Sequence, residues 1–256
     1  IDKSRDPFEV LVGDVDEGLT VGKVDQLFGE LKTSIIEILG RIKNKHASID
    51  NSILNVNIDK ETIKKIGTGI VEEMFFDKNK GTYSEVVHPV CVVVGPTDIR
   101  ITTYFKELFP SIFSTLHECG HGVYSYSSNE KSVEYGVWGG LSGAMHESQS
   151  RFYENLIGKS KEFWQYFYPR LQKEVKEFEN IGLDTLYEAI NKAEPTFKRL
   201  DADELTYSLH PIIRFEMEKE CFEGKLKTDD FYDAWNAKYK DYLGIEPENA
   251  KEGVLQ

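Results

Sequence analysis

The chain has 256 residues, a formal net charge of −13 and 40% hydrophobic residues. This acidic charge argues against a nucleic-acid partner, because binding to nucleic acid requires a basic face. No apolar run reaches the roughly 18 residues of a membrane span, so we expect no membrane partner. The three cysteines are widely spaced and odd in number, which favours free thiols in a reducing compartment and predicts a cytoplasmic protein.

Two amphipathic helices are predicted after an irregular acidic start over residues 1–18. Thr20 is predicted to cap a long helix with an apolar stripe over residues 24–42. Asp59 is predicted to cap a second helix with a stripe over residues 63–74. Both stripes are typical of helices that face a hydrophobic core.

A small sheet is predicted next. Residues 85–94 are short and β-branched, and Gly95-Pro96 is a turn signal. Residues 98–104 alternate polar and apolar side chains, so the two segments are predicted to pair as a hairpin. An extended peptide can bind along an edge of such a sheet through main-chain hydrogen bonds.

An H-E-x-x-H pattern follows, on a helix that Pro110 is predicted to open. His117 and His121 are four positions apart and therefore lie on one helical face, where both imidazoles can reach one small cation. Glu118 points to an adjacent side, where it can hold a water as general base without being a ligand. Cys119 is predicted to face away from the metal as a small buried filler.

A catalytic metal needs a third protein ligand, while one coordination position stays open for water. Glu147 lies on the next predicted helix, residues 141–156, and a short connection would bring it onto the metal face. We prefer Glu147 over Glu154 because its neighbours are small or polar. The alternative to a metal site is a solvated acidic helix face. Arg151 is interpreted as the partner of a neighbouring carboxylate rather than as a substrate residue.

Most of the remaining chain is predicted to be helical. Glycines within residues 136–140 mark a place where the backbone bends or approaches another group closely. The later helices share apolar stripes and are predicted over residues 160–180 with a kink at Pro169, 184–193, 203–222 before Gly224, and 229–243. The predicted fold is therefore mainly α, with long helices around the metal site and one small β-sheet at the groove beside it.

Six segments, in chain order, resemble the motifs of the carboxypeptidase Taq family of metallocarboxypeptidases. They are 88–90 (His-Pro-Phe, with Val90 for Phe), 98–102 (D-x-R-x-T), 117–121 (H-E-x-x-H), 146–149 (H-E-S-Q), 198–203 (I-R-x-x-A-D, with Lys198 for Ile) and 253–256 (the opening of G-x-x-Q-D-x-H-W). The resemblance covers nearly all of the chain, and six motifs in order make it highly specific.

The resemblance implies removal of single residues from peptide C-termini, with broad specificity. It implies one divalent ion per chain, zinc or cobalt or another metal, held by His117, His121 and Glu147, with Glu118 as catalytic base. The partners are then peptides with a free C-terminal carboxylate. We further expect a single catalytic domain over residues 1–256, as the core of a longer protein without the family's N-terminal helical region and C-terminal end. Such a core is expected to bind metal, to be weakly active and to form a homodimer, because exposed apolar helix faces favour self-association.

A carboxypeptidase also needs a cation that binds the free carboxylate, and the planar fork of arginine suits this task. The candidates are Arg100, Arg151, Arg199 and Arg214. We favour Arg199 because it lies in the I-R-x-x-A-D-like segment. The alternative is a structural ion pair between Arg199 and the nearby Asp201 or Asp203.

Other motif residues complete the expected substrate-binding set. His88, Asp98, Arg100 and Gln256 enter it through the resemblance. Tyr207 and His210 are expected to donate a hydrogen bond to the oxyanion, although residues of these types on an aromatic-rich helix are more often core residues.

Two rival functions stay open. One is a zinc aminopeptidase or endopeptidase that shares H-E-x-x-H plus Glu, and amidating the C-terminus of a test peptide separates it from a carboxypeptidase. The other is a non-catalytic helical domain in which the metal is a structural staple. A protein side chain in place of the water would favour that second alternative.

Overall fold

Helices make up most of the chain in the computed structural model, which describes residues 6–255. Within those residues the helices are α1 (Pro7–Val15), α2 (Val21–His46), α3 (Lys60–Glu73), α4 (Leu108–Tyr126), α5 (Glu130–Glu134), α6 (Gly143–Arg151), α7 (Lys161–Glu174), α8 (Leu183–Ile190), α9 (Leu209–Phe222) and α10 (Phe231–Leu243). The strands are β1 (Gly81–Glu85), β2 (Val90–Gly95) and β3 (Asp98–Thr103). The predicted mainly α fold with one small sheet is confirmed. None of the helices in this part of the chain combines the length and apolarity that a membrane crossing requires.

The sheet has the order β1-β3-β2, with β3 in the middle. The predicted hairpin is confirmed, since β2 and β3 pair antiparallel with Cys91 opposite Ile101. However, β2 begins at Val90 rather than at residue 85. Pro89 has no amide hydrogen for the ladder, which explains why pairing starts after it. β1 was not predicted, and it pairs parallel with β3.

Contacts divide the chain into two compact units, Asp50–Ile190 and Ile1–Ile49 with Asn191–Gln256. Each unit has its own hydrophobic clusters within the described residues. The single catalytic domain expected from the sequence stays a prediction.

In the Asp50–Ile190 unit, α4 is held between two apolar clusters. On one side its residues Phe109 and Leu116 pack with a core centred on Trp164. On the other side Cys119 is completely buried among residues of α3 and β3, which confirms its predicted role as a small buried filler. Pro110 lies in the first turn of α4, as predicted. With two sides fixed by burial, α4 is a rigid support for the polar residues on its remaining face.

The helix predicted over residues 141–156 has two parts. Ser142 caps α6 by accepting a hydrogen bond from the amide of Met145 at 3.2 Å. After Arg151 the chain forms a π-helical segment, Phe152–Ile157, in which the amide of Gly158 donates to the carbonyl of Tyr153 at 2.9 Å. Segments of this kind are rare and frequently lie at functional sites.

The predicted helix over residues 160–180 ends earlier, because α7 stops at Glu174. Pro169 lies inside α7, and its kink stays a prediction.

In the other unit, α9 begins at Leu209, later than the predicted start at residue 203. The carboxylate of Asp203 accepts hydrogen bonds from the amides of Leu205 and Thr206 and from the Thr206 hydroxyl, which holds the residues before α9 in turns.

α1 replaces the predicted irregular start, because Asp6 caps it and Pro7 occupies its first position.

Candidate metal centre

α4 presents His117 and His121 on one face, one turn apart. Their ring centroids are 4.9 Å apart and their planes are inclined at 77°. Both side chains are largely buried, with 17% and 14% of their surface exposed. Because other faces of α4 are buried in the core, the helix backbone holds both imidazoles on the same face.

α6 brings Glu147 to this pair. Its Oε2 lies 3.6 Å from Nε2 of His117, and its Oε1 lies 3.7 Å from Nε2 of His121. The potential ligand atoms of the three residues all lie within 4.8 Å of one another. Two imidazole nitrogens and one carboxylate form the protein donor set of known catalytic zinc sites. The structure therefore brings together the three ligands that the sequence predicts.

Glu118 lies next to this cluster and is almost completely buried, with 6% exposure. Its Oε2 has no hydrogen-bond partner among residues 6–255. Burial raises the pKa of Glu118 to about 7; the nearby His117 opposes this rise, while the carboxylates of Glu147 and Glu154 add to it. A buried polar atom without a partner requires an explanation. A water held by a cation at the neighbouring donor set would satisfy this oxygen, so the residues fit a metal centre.

His121 has the protonation state that a metal ligand needs. Burial and the neighbouring His117 lower the pKa of His121 to about 4. The imidazole is therefore neutral at pH 7 and offers a nitrogen lone pair, whereas a protonated ring would repel a cation.

Glu154 is part of the site in a way that the sequence analysis missed. Its Oε2 forms a 2.8 Å hydrogen bond with Nδ1 of His117 and accepts a second one from Nη1 of Arg151 at 2.9 Å. Burial alone would raise the pKa of Glu154, but the bond with His117 and the charge of Arg151 lower it overall. The predicted pairing of Arg151 with a neighbouring carboxylate is thus confirmed.

A sequence signal for Glu154 did exist. Glu154 lies seven positions after Glu147, which places both carboxylates on the same side of a helix. The two side chains reach opposite nitrogens of one imidazole, Glu147 near Nε2 and Glu154 at Nδ1. In the sequence Glu154 competes with Glu147 for the role of third ligand, whereas its position beside Nδ1 of His117 follows only from the tertiary structure.

The glycine-rich loop before α6 packs against the same region. His146 Nε2 is 2.6 Å from the carbonyl oxygen of Gly139, and its ring lies 4.9 Å from that of Tyr124. Gly140 has a φ of +108°, and a Cβ there would lie 2.6 Å from His146 Nε2. This close approach confirms the prediction made for the glycines of residues 136–140.

Three expected substrate-binding residues lie in the same unit but outside the ligand cluster. Arg100 and Asp98 form a bidentate ion pair on β3, in which Nε donates to Oδ1 at 2.9 Å and Nη2 donates to Oδ2 at 2.7 Å. His88 is exposed in the connection between β1 and β2. Within the described part of the chain, none of the three forms a hydrogen bond or ion pair with the predicted ligands.

Arg199 belongs to the other unit, where its side chain is exposed. Its Nη1 lies 3.3 Å from the hydroxyl oxygen of Tyr207. Asp203 is engaged with the turn before α9, and across residues 6–255 Arg199 forms no ion pair with Asp201 or Asp203. Among the described residues, the structure therefore does not contain the alternative, a structural ion pair between Arg199 and Asp201 or Asp203.

His210 is completely buried in that unit. Its Nδ1 is 2.9 Å from the hydroxyl of Tyr239, while its Nε2 has no partner among the described residues. Burial and the nearby Arg214 and Arg199 lower the pKa of His210 to about 4, so the ring is neutral at pH 7. Gln256, the last expected substrate residue, lies outside the described residues.

Comparison with known proteins gives one consistent result. The sequence model of the carboxypeptidase Taq (M32) metallopeptidase family matches residues 1–256. The chain is 39% identical over 253 residues to carboxypeptidase 1 of Bacillus subtilis (strain 168), which covers 98% of this chain and 50% of that protein. It is 35% identical over 256 residues to thermostable carboxypeptidase 1 of Thermus thermophilus, covering 97% of this chain and 49% of that protein.

A solved structure agrees with these sequence relatives. The fold is similar to that of the M32 carboxypeptidase from Deinococcus radiodurans R1, with a TM-score of 0.91 and 31% identity. This match covers 98% of this chain and 51% of that one. The chain thus spans about half the length of the relatives that it matches.

Proposed function

Because this chain belongs to the carboxypeptidase Taq (M32) family of metallopeptidases, we propose that it carries the metal centre of a carboxypeptidase. The proposed reaction is hydrolytic release of single C-terminal residues from peptides, with broad specificity. The observation that supports it most is the cluster of His117, His121 and Glu147 beside the unpaired, buried carboxylate oxygen of Glu118.

The family implies a divalent metal ion, and His117, His121 and Glu147 are the residues that would hold it. We propose zinc, one ion per chain, because two imidazoles and one carboxylate suit this metal; cobalt is the alternative. When bound, the ion polarises the scissile carbonyl and acidifies the attacking water.

Glu118 is the proposed general base. Its carboxylate is held on the same turn as His117, and its Oε2 has no competing hydrogen bond among residues 6–255. It is therefore free to accept a proton from the attacking water and to donate that proton to the nitrogen of the leaving amine. A nearby cation favours the ionised form of Glu118, which opposes the effect of burial on its pKa.

Glu154 is proposed to orient His117. By accepting a hydrogen bond from Nδ1–H, it leaves the Nε2 lone pair for the metal and fixes the plane of the ring. Arg151 holds Glu154 from the other side. Through this chain of contacts the π-helical segment after α6 supports a ligand on α4.

Replacement of Glu154 by alanine is expected to weaken zinc affinity roughly 10- to 100-fold, because His117 loses the partner that orients it. The measurement is competition for zinc between the purified protein and a chromophoric chelator. Glu162→Ala, which removes an exposed carboxylate from α7, is the matched control and should leave the affinity unchanged. Equal zinc affinities in the two variants would show that Glu154 does not contribute to zinc binding.

Arg199 is proposed to bind the free C-terminal carboxylate of the substrate. Its guanidinium is exposed and its hydrogen bond with Tyr207 is long, so its fork remains available. His210 and Tyr207, on the same unit, stay proposals for stabilising the oxyanion. His88, Asp98, Arg100 and Gln256 likewise stay proposed substrate-binding residues.

Arg199→Ala is expected to lower kcat/KM for free-acid peptides roughly 10- to 150-fold, since a hydrogen bond to a charged group contributes about 1.5–3 kcal/mol. Metal content should stay unchanged. Lys198→Ala removes the neighbouring exposed cation and serves as the control. If kcat/KM is unaffected by Arg199→Ala, the anchor must be sought at Arg100, Arg151 or Arg214.

The proposed function itself is tested with a pair of peptides that differ only at the C-terminus. Release of the terminal residue from the free acid, but not from the amide, supports a carboxypeptidase. Equal cleavage of both peptides indicates an aminopeptidase or endopeptidase that uses the same ligand set. Stoichiometric metal without hydrolysis of either peptide indicates a metal-stapled structural domain.

The cellular setting is also part of the proposal. All three cysteines are free, as expected for a reducing compartment such as the cytoplasm. Assembly as a homodimer stays a prediction, which sedimentation of the purified protein at several concentrations will decide.

A further inference from the structure

The two helices that carry the proposed metal ligands approach each other closely at Gly120. A Cβ placed on Gly120 would lie 2.6 Å from the carbonyl oxygen of Gln149 and 2.6 Å from Cα of Ser150. Both are backbone atoms of α6, so no side-chain rotation can relieve the overlap. Carbon atoms in contact are separated by about 3.5–4.0 Å, so any larger residue would push α6 away by about 1 Å.

Ser150, the residue that contacts Gly120, also holds the proposed ligand carboxylate. Its side chain is completely buried. Its Oγ lies 3.0 Å from Oε2 of Glu147 and 2.9 Å from the carbonyl oxygen of the same residue. Oε2 is also the oxygen that faces Nε2 of His117. The position of Ser150 therefore influences the position of a ligand atom directly.

Gly120 is well placed to control this geometry. It lies between His117 and His121 in sequence, so the crossing of α4 and α6 occurs within one turn of both imidazoles. Metal–ligand distances must hold to within about 0.2 Å. A displacement of about 1 Å at the crossing is several times larger than this tolerance, and misplacements of that size cost about 10²-fold in function.

We propose that Gly120 and Ser150 are positioning residues that together fix the carboxylate of Glu147 opposite His117 and His121. The absent side chain of Gly120 lets α6 approach, and the hydroxyl of Ser150 transmits this position to Glu147. The inference rests on the proposed metal site, but it assigns a role to two residues that are not themselves ligands.

Gly122 offers a matched control on the same helix. A Cβ at Gly122 would also be too close to its neighbours, at 2.7 Å from a ring carbon of Phe76 and 3.0 Å from Cγ2 of Ile101. These are side-chain atoms of the core on the sheet side of α4, not atoms of α6. Gly120→Ala and Gly122→Ala are therefore identical changes that strain opposite sides of one helix.

The experiment measures zinc affinity by chelator competition and thermal unfolding of the metal-free protein for each variant. Gly120→Ala is expected to weaken zinc binding roughly 10- to 100-fold, as for the loss of an outer partner of a ligand. Gly122→Ala is expected to lower the unfolding temperature but to change zinc affinity by no more than about twofold, within the usual additivity error for independent sites. Ser150→Ala is expected to weaken zinc binding about 10-fold.

The double variant Gly120→Ala/Ser150→Ala tests the coupling between the two residues. If Gly120 acts through Ser150, the two losses of affinity should be clearly less than additive. Fully additive losses would show that the two residues act independently. If Gly120→Ala does not fold, wild-type zinc affinity in Ser150→Ala is sufficient to overturn the proposal.

The outcomes separate this inference from the proposed function. A wild-type protein that binds no zinc overturns the metal site and the positioning roles with it. A wild-type protein that binds one equivalent, together with a Gly120→Ala variant of equal affinity, overturns only the positioning roles. Parallel losses of affinity in both glycine variants, in proportion to their stability, would also overturn them.

Discussion

Replacing Glu118 by glutamine is expected to lower kcat for release of C-terminal residues roughly 10²- to 10⁴-fold, the usual contribution of a general base. Glutamine has nearly the shape of glutamate but cannot accept the proton of the attacking water. Metal content should not change, because Glu118 is not among the three residues whose ligand atoms cluster. The measurement is kcat with a free-acid peptide, together with metal content by mass spectrometry.

The control for this substitution is Glu107→Gln. Glu107 precedes α4 and is exposed, so the same chemical change there leaves the site intact. The variant is expected to keep the wild-type kcat. A Glu118→Gln protein with normal metal content and a near wild-type rate would show that another group removes the proton.

Replacement of His121 by alanine is expected to remove stoichiometric binding of the divalent metal. The loss should exceed the roughly 10- to 100-fold effect of losing an outer partner of a ligand, because one of three protein ligands disappears. The loss of metal binding should also remove the stabilisation of the native state by zinc. A metal at 100 times its Kd stabilises the native state by about 2.7 kcal/mol, so zinc should raise the unfolding temperature of the wild type but not of His121→Ala.

His88→Ala controls for the removal of an imidazole. His88 is exposed in the connection between β1 and β2, and within the described part of the chain it is not among the residues whose ligand atoms cluster. Zinc should raise the unfolding temperature of this variant as it does for the wild type. A His121→Ala protein that still binds one equivalent of zinc with wild-type affinity would contradict the proposed ligand set.

Features that depend on neighbouring residues could be predicted from the sequence. The spacing of His117 and His121 places them on one face because the period of an α-helix is a local property of the backbone. The caps at Thr20 and Asp59 are likewise local, and both side chains accept the expected amide hydrogen bonds. The Asp6-Pro7 start of α1 was an equally local signal that the sequence analysis missed.

Features that join distant segments were decided by the tertiary structure. The parallel pairing of β1 with β3 depends on the sheet as a whole, since β1 has no strong strand pattern of its own. The ion pair of Asp98 and Arg100 is local, but the face of the sheet on which it lies is set by the register in which β3 pairs with β2.

The candidate site shows the same division. The sequence by itself determined which residues have the chemistry of a metal centre, because residue type and helical spacing define a donor set. Only the tertiary structure determined that Glu154 holds the far nitrogen of His117, and that Gly120 lets α6 approach α4. The reason is physical: the distance between two helices depends on every side chain packed between them, and these side chains come from segments that are far apart in the sequence.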